Sequence, residues 1–198
     1  RVYDVAGITP KGVKVYLNDQ RLEVKDFRSY VDLYFKGKEI ADEKLEVIHE
    51  KVGERWEVCA TLSDGDFHQV SFVNSIWTTL GGTHVNYLSD QITSNVQSIL
   101  KKKHKKEVKA NQIKANLWIF VNCQITNPAF DSQTKDTLTT KPAKFGSTCI
   151  LSSRFLSKIA ETGIVEMVLK VASAKEEAKL KRLGGGKKKR VIGIDKLD

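Results

Sequence analysis

The sequence predicts an α/β fold, with a mixed sheet of about four strands and helices backing one face. Three observations predict it. Residues 55–62 alternate, with Trp56, Val58, Ala60 and Leu62 pointing one way and Glu57, Cys59 and Thr61 the other, the period of a half-buried strand. After Gly81-Gly82-Thr83, the residues Val85, Leu88, Ile92, Val96 and Ile99 recur at helical spacing. Leu117 to Ile125 is the most hydrophobic run and suits a central strand.

The elements follow in chain order. Val13 to Leu17 alternates as a strand, Asn18-Asp19-Gln20 supplies a turn, and Arg21 to Val24 returns as its partner. Phe27, Tyr30, Val31 and Tyr34 fall at helical spacing. Lys36-Gly37-Lys38 and Asp42-Glu43-Lys44 form a polar connector, where a domain boundary is placed. Ser63-Asp64-Gly65-Asp66 is a strong turn signal, so the strand before it and the run from Phe67 to Ile76 are expected to pair as an antiparallel hairpin. The helix after Gly82 runs into Lys101-Lys102-Lys103-His104-Lys105-Lys106, cations that also favour the helix dipole. Asn127-Pro128 stops the central strand. A polar loop continues to Pro142, with Phe130 and Leu138 almost its only apolar residues. Ser152 or Ser153 caps a helix through Phe155 and Ile159, Gly163 interrupts it, and Ile164 to Leu183 forms a longer, more charged helix. Lys187 to Arg190 begins a basic linker.

A net charge of +9 favours a polyanionic partner, nucleic acid ahead of membrane. No apolar run approaches the roughly 20 residues that span a bilayer. Arg1 to Gly7 mix charge with apolar side chains, unlike a signal peptide, and the natural protein is expected to begin upstream. Cys59, Cys123 and Cys149 are widely spaced and form no C-x-x-C pair, which argues for reduced thiols over a zinc site or a disulfide framework. Trp56, Trp77 and Trp118 lie in strand-like runs and read as core residues. His84, near a helix start, reads as part of a structural turn.

The stretch Asp131-Ser132-Gln133-Thr134-Lys135 carries the most chemistry. A lysine on a polar loop is a compact positive charge on a flexible stem, and a glutamine amide beside it both donates and accepts. Such a pair can reach the terminal phosphate of a nucleotide held by another domain. Charge-assisted bonds of this kind are worth roughly 1.5–3 kcal/mol each. On residue chemistry alone, an ordinary solvated loop is the simpler reading.

Asn127 to Lys135, Asn-Pro-Ala-Phe-Asp-Ser-Gln-Thr-Lys, resembles the Q-T-K loop of type IIA DNA topoisomerases. Ser71 to Ile76, Gly81 to Val85 and Asp90-Gln91-Ile92 resemble further blocks of that family, in its order and at similar spacing. Phe27 to Asp32, Arg55 to Cys59 and Phe145 to Cys149 look like its eukaryotic branch rather than bacterial gyrase. Val191 to Asp198 is similar to the approach to the family's Mg²⁺-binding cleavage domain. Leu80 departs from the pattern, since relatives often carry a polar residue there.

The resemblance implies residues 1–44 as the tail of an ATPase domain, 45–183 as a transducer and 184–198 as a basic linker to the cleavage domain. It implies a ribosomal-protein-like fold with a left-handed βαβ crossover. Gln133, Thr134 and Lys135 would be the ATP-contacting residues, with ATP and Mg²⁺ held upstream. The full-length protein would be a nuclear, homodimeric, ATP-hydrolysing isomerase that passes one DNA duplex through another. The catalytic glutamate, the ATP lid, the active-site tyrosine and the metal carboxylates would lie outside these 198 residues, so this stretch alone is expected to be inactive.

For the lysines after the first long helix, charge alone reads as a solvated helix end. The resemblance tips the reading toward DNA phosphates, with Lys101, Lys102 and Lys103 first. Lys187 to Arg190 stays a linker. The rivals are a mismatch-repair-type ATPase or gyrase subunit, against which the eukaryotic-type blocks argue, and a non-catalytic nucleic-acid-binding α/β module.

Overall fold

A computed structural model describes residues 1–10, 12–36 and 45–184. The expected boundary near 37–44 and the expected linker from 185 onward lie outside the described residues. The chain begins with helix α1 (Val2–Ile8), a two-residue ladder of β1 (Tyr16–Leu17) with β2 (Gln20–Arg21), and helix α2 (Phe27–Phe35). The ladder is shorter than its alternation predicts. Asn18 and Asp19, both at positive φ, turn it tightly. Helix α2 starts where Asp26 accepts from the Ser29 amide at 2.9 Å and the Ser29 hydroxyl accepts from the Asp26 amide at 3.0 Å.

Strands β3 (Ile48–Val52), β4 (Trp56–Leu62), β5 (His68–Val73) and β6 (Ile76–Trp77) follow, then β7 (Gly81–Gly82) and helix α3 (Thr83–His104). After them come α4 (Ala110–Lys114), β8 (Leu117–Cys123), β9 (Thr137–Leu138), α5 (Ser153–Ile159) and α6 (Val165–Gly184). The main sheet has five strands in the order β3-β4-β8-β5-β6, where about four were expected. It is mixed: β8 runs antiparallel to β4 and parallel to β5.

The expected hairpin between β4 and β5 does not form. The intervening turn spends its bonds elsewhere: the Ser63 amide donates to the Asn116 carbonyl at 3.0 Å, and its hydroxyl to the Ala115 carbonyl at 3.0 Å. Residues 63–67 therefore pass over the start of β8, which inserts between the two strands. The reason is burial. A strand flanked by two partners and covered on both faces places every apolar side chain of Leu117–Cys123, and Leu117, Ile119, Phe120 and Val121 are fully buried.

Burial on both faces also corrects two further expectations. The strand β4 is not half-buried, since Cys59 and Thr61 are as enclosed as Val58 and Ala60. The helices do not keep to one face. Val58, Ala60, Ile119 and Val121 pack with Leu88, Ile92 and Val96 of α3 and Phe155 and Ile159 of α5. On the other face Cys59, Phe72 and Phe120 pack with Phe27, Tyr30 and Val31 of α2. Each fully buried aromatic or aliphatic side chain contributes about 1.5–3 kcal/mol over leaving it exposed. Tyr30 keeps its hydroxyl satisfied by donating to the Asp4 carboxylate at 2.8 Å.

The stripe of α3 is as expected except at its end, where Leu100 rather than Ile99 is fully buried. Trp56 and Trp118 join the packed layers, but Trp77 is 43% exposed, on the two-residue edge strand β6. Ser152 caps α5 by accepting from the Phe155 amide at 3.1 Å. Gly163, at φ 87°, turns residues 160–164 into a wide helical turn that redirects the chain into α6.

Candidate nucleotide-sensing loop

The loop from 127 to 140 is built on a buried anchor. Leu138 is 1% exposed within the core, and Phe130 pairs with it through an isolated antiparallel bridge. The Thr139 amide donates to the Ala129 carbonyl at 2.9 Å, and the Ala129 amide to the Thr140 hydroxyl at 2.7 Å. Nearer the tip, the Asp131 amide donates to the Thr137 carbonyl, while the Asp131 carboxylate accepts from the Thr137 amide, both at 3.1 Å. Five residues between these two close as a turn, the Lys135 amide donating to the Ser132 carbonyl at 3.1 Å.

Gln133 and Thr134 occupy the centre of that turn and are exposed, and Lys135 follows at φ 61°. A left-handed backbone on a residue with a Cβ costs on the order of 1–2 kcal/mol. It persists here because the loop base fixes both ends. Among the described residues, neither the Gln133 amide nor the Lys135 ammonium has a hydrogen-bond or ion-pair partner. The structure thus brings the three residues of the tripeptide into one turn, Gln133 and Thr134 exposed and Lys135 partly so.

The loop is joined to the start of α3. Strand β7 pairs in parallel with β9, Gly81 opposite Thr137 and Gly82 opposite Leu138. The Leu80 amide donates to the Asp136 carbonyl at 3.0 Å, and the Thr83 hydroxyl to the Thr140 carbonyl at 2.6 Å. Gly82 sits at φ 133° against the Leu138 backbone, where a Cβ would meet the carbonyl oxygen at 2.3 Å. Only glycine allows this approach.

His84 lies just inside α3 and is fully buried, its Nε2 3.3 Å from the Thr78 hydroxyl. Its Nδ1 has no hydrogen-bond partner among the described residues. Burial away from water pushes the imidazole down to about 3, so it is neutral at physiological pH. The expected structural role of the Gly81–His84 segment fits this placement.

Lys101, Lys102 and Lys103 lie at the opposite end of α3. A helix of 22 residues separates the two sites by about 33 Å. The three lysines are exposed, and Lys101 pairs with Glu107 at 3.1 Å, with both side chains highly exposed. Helix α3 stops at Lys105, which adopts the left-handed conformation at φ 55°. The sequence reading missed Asp136 and Thr79, whose side chains meet at 2.5 Å beside the turn. Their types gave no signal, being two polar residues 57 apart. Leu138 did carry one, as an apolar residue in a polar loop.

Cys59, Cys123 and Cys149 are buried and free of disulfides, and burial raises all three thiols above their ordinary range. Among the described residues no three His, Cys, Asp or Glu side chains come together to hold a metal, and no helix is long and apolar enough to cross a membrane.

Comparison with known proteins places this geometry in a family. The DNA gyrase B family model matches residues 26–184. DNA topoisomerase 2 of Arabidopsis thaliana is 50% identical over 201 residues, which is all of this chain and 14% of that protein. The chain therefore spans about a seventh of the length of that relative. Among solved structures, the ATPase region of Saccharomyces cerevisiae topoisomerase II aligns with a TM-score of 0.77 at 44% identity, covering 87% of this chain and 43% of that one. The ATPase and transducer domains of DNA topoisomerase II from Balamuthia mandrillaris align at 0.80 and 40% identity, covering 89% and 43%. With a family model matched across most of its length and half its residues shared with such relatives, the chain belongs to the DNA gyrase B family, on the eukaryotic topoisomerase II branch.

Proposed function

We propose that this chain is the transducer of an ATP-dependent type IIA DNA topoisomerase, with Gln133 and Lys135 as its nucleotide sensors. In this reading residues 1–44 end an ATPase domain that lies upstream, 45–183 are the transducer, and 184–198 lead to a metal-binding cleavage domain. The carrying observation is the Ser132–Lys135 turn, which offers an amide and an ammonium without partners among the described residues, on a base pinned by Asp131 and Leu138. These donors suit the terminal oxygens of a polyphosphate. ATP bound upstream supplies those oxygens, and its Mg²⁺ would take ligands from outside the described residues.

With a terminal phosphate in reach, Lys135 and Gln133 donate to it, and Thr134 shapes the turn that aims them. Without it, both side chains return to water, so the loop reports nucleotide state. The loop's junction with α3 would carry that state toward Lys101, Lys102 and Lys103, which contact duplex DNA through its phosphates. The full-length protein would act in the nucleus as a homodimer, passing one duplex through another. The likeness to the Balamuthia structure, whose ATPase and transducer domains are named together, supports the division of the chain.

The test is the full-length protein carrying Lys135→Ala. ATP turnover and ATP-driven dimerisation should fall by roughly ten- to a hundredfold, the scale of one or two lost charge-assisted bonds. Unchanged turnover and dimerisation would sink the sensor role and leave a nucleic-acid-binding module as the better reading.

A further inference from the structure

The Q-T-K turn is not held by its own backbone alone. The carboxylate of Asp136, the residue after Lys135, accepts from the Thr79 hydroxyl at 2.5 Å. The neighbouring Thr134 and Thr79 hydroxyls hold the Asp136 carboxyl below the usual range, so it is ionised. Ser132 meets Thr134 at 2.7 Å, closing a run of side chains across the turn. On the other side, Thr79 lies in the strap between β6 and β7. Gln69 of β5 donates to the carbonyls of Thr78 and Thr79 at 3.3 and 2.8 Å, and Ser71 pairs with Thr78 at 2.5 Å. Strand β5 is itself paired on both edges. The strap is thus fastened to the sheet, and Asp136 fastens the turn to the strap.

Building on the sensor reading above, we propose that Asp136 and Thr79 are positioning residues that set the pose of Lys135. Neither side chain needs to touch the nucleotide. The carboxylate lies next in sequence to the lysine and fixes the peptide from which the ammonium projects. A hydroxyl donating to a charged acceptor is a directional clamp, stronger than a neutral bond of the same geometry. Because Lys135 holds a left-handed backbone, loss of the clamp lets the turn relax and widens the range of ammonium positions. The cost then falls on the contact with the terminal phosphate rather than on the fold, since Thr79 is exposed and lies outside the core.

A double-mutant cycle in the full-length protein tests this, with steady-state ATP hydrolysis, ADP affinity and thermal melting as readouts. Thr79→Val should lower kcat/KM for ATP by about five- to tenfold, leave ADP affinity and melting unchanged, and add nothing further in a Lys135→Ala background. Thr79→Ser, which keeps the hydroxyl, should restore most of the loss. An equal loss from Thr79→Val in both backgrounds would overturn the proposal, because Thr79 would then act independently of Lys135. So would full activity in Thr79→Val when Lys135→Ala is impaired. If Lys135→Ala is itself without effect, the sensor reading fails first and the clamp falls with it.

Discussion

The two ends of α3 solve opposite physical problems. At its start, Gly82 lies against the Leu138 backbone in a sterically determined junction, and His84 beside it is fully buried. At its end, Lys101, Lys102 and Lys103 stand in water, with one exposed ion pair to Glu107. The first end fixes position: its contacts are short, directional and intolerant of added atoms. The second end sets a field: its charges are flexible and their exact placement matters little. A sensor that must find one phosphate needs the first kind of support. A surface that meets a duplex of uniform charge needs only the second. Nothing in local composition separates a cation of one sort from the other, and the difference lies in what the backbone beneath each is packed against.

The largest effect is expected at the junction. Gly82→Ala would place a Cβ 2.3 Å from a backbone oxygen, at a φ of 133° that L-residues avoid. Neither group can move without disturbing the core at Leu138. The variant should lose more than about 3 kcal/mol in urea unfolding. A loss below about 1 kcal/mol would show that the junction is softer than its geometry, and would weaken the contrast between the two ends.

Acid should probe the same end less severely. The His84 imidazole is pushed down to about 3 in the folded chain from an ordinary 6.5, through desolvation by burial. The unfolded chain takes up a proton below about 6.5 and the folded chain does not until near 3, so the unfolded state binds more protons in that window. Stability is then complete above pH 6.5 and falls with pH, by roughly 1.4 kcal/mol per unit from this residue. His84→Gln should flatten the slope of unfolding free energy between pH 6 and 5, measured by urea titration. A slope unchanged by that substitution would assign the acid sensitivity elsewhere.

The smallest effect on folding belongs to the far end. Changing Lys101, Lys102 and Lys103 together to alanine should alter stability by no more than about 0.5 kcal/mol, since exposed pairs such as Lys101–Glu107 contribute little. The same variant should flatten the dependence of DNA affinity on salt, by roughly 0.9 in the logarithmic slope for each phosphate contact removed. A preserved slope would leave these lysines as a solvated helix end.

Much of this was legible in the chain itself. The cap at Ser152, the stripe of α3 and the apolar run of β8 depend on spacing within one or two turns, and short-range spacing is written directly in sequence. The turn at 132–135 could be read as polar and exposed for the same reason. Its resemblance to a known family carried the assignment further than residue chemistry could. The Asp136–Thr79 bond was not legible, because the two residues are brought together by the pairing of β7 with β9.

By itself, then, the sequence determined the longer strands and helices, though not α1, β3, α4 or the short β7 and β9, and with them the buried face of α3 and the polar character of the Q-T-K stretch. The tertiary structure decided who pairs with whom. A period-two pattern states that a strand has two faces but not which strands lie at its edges, so β4 and β5 read as a hairpin until β8 was seen between them. It also decided what each lysine stands on. Lys135 and Lys101 are the same side chain, but Lys135 follows a turn whose base is pinned by Asp131 and Leu138, whereas Lys101 stands on an exposed helix end.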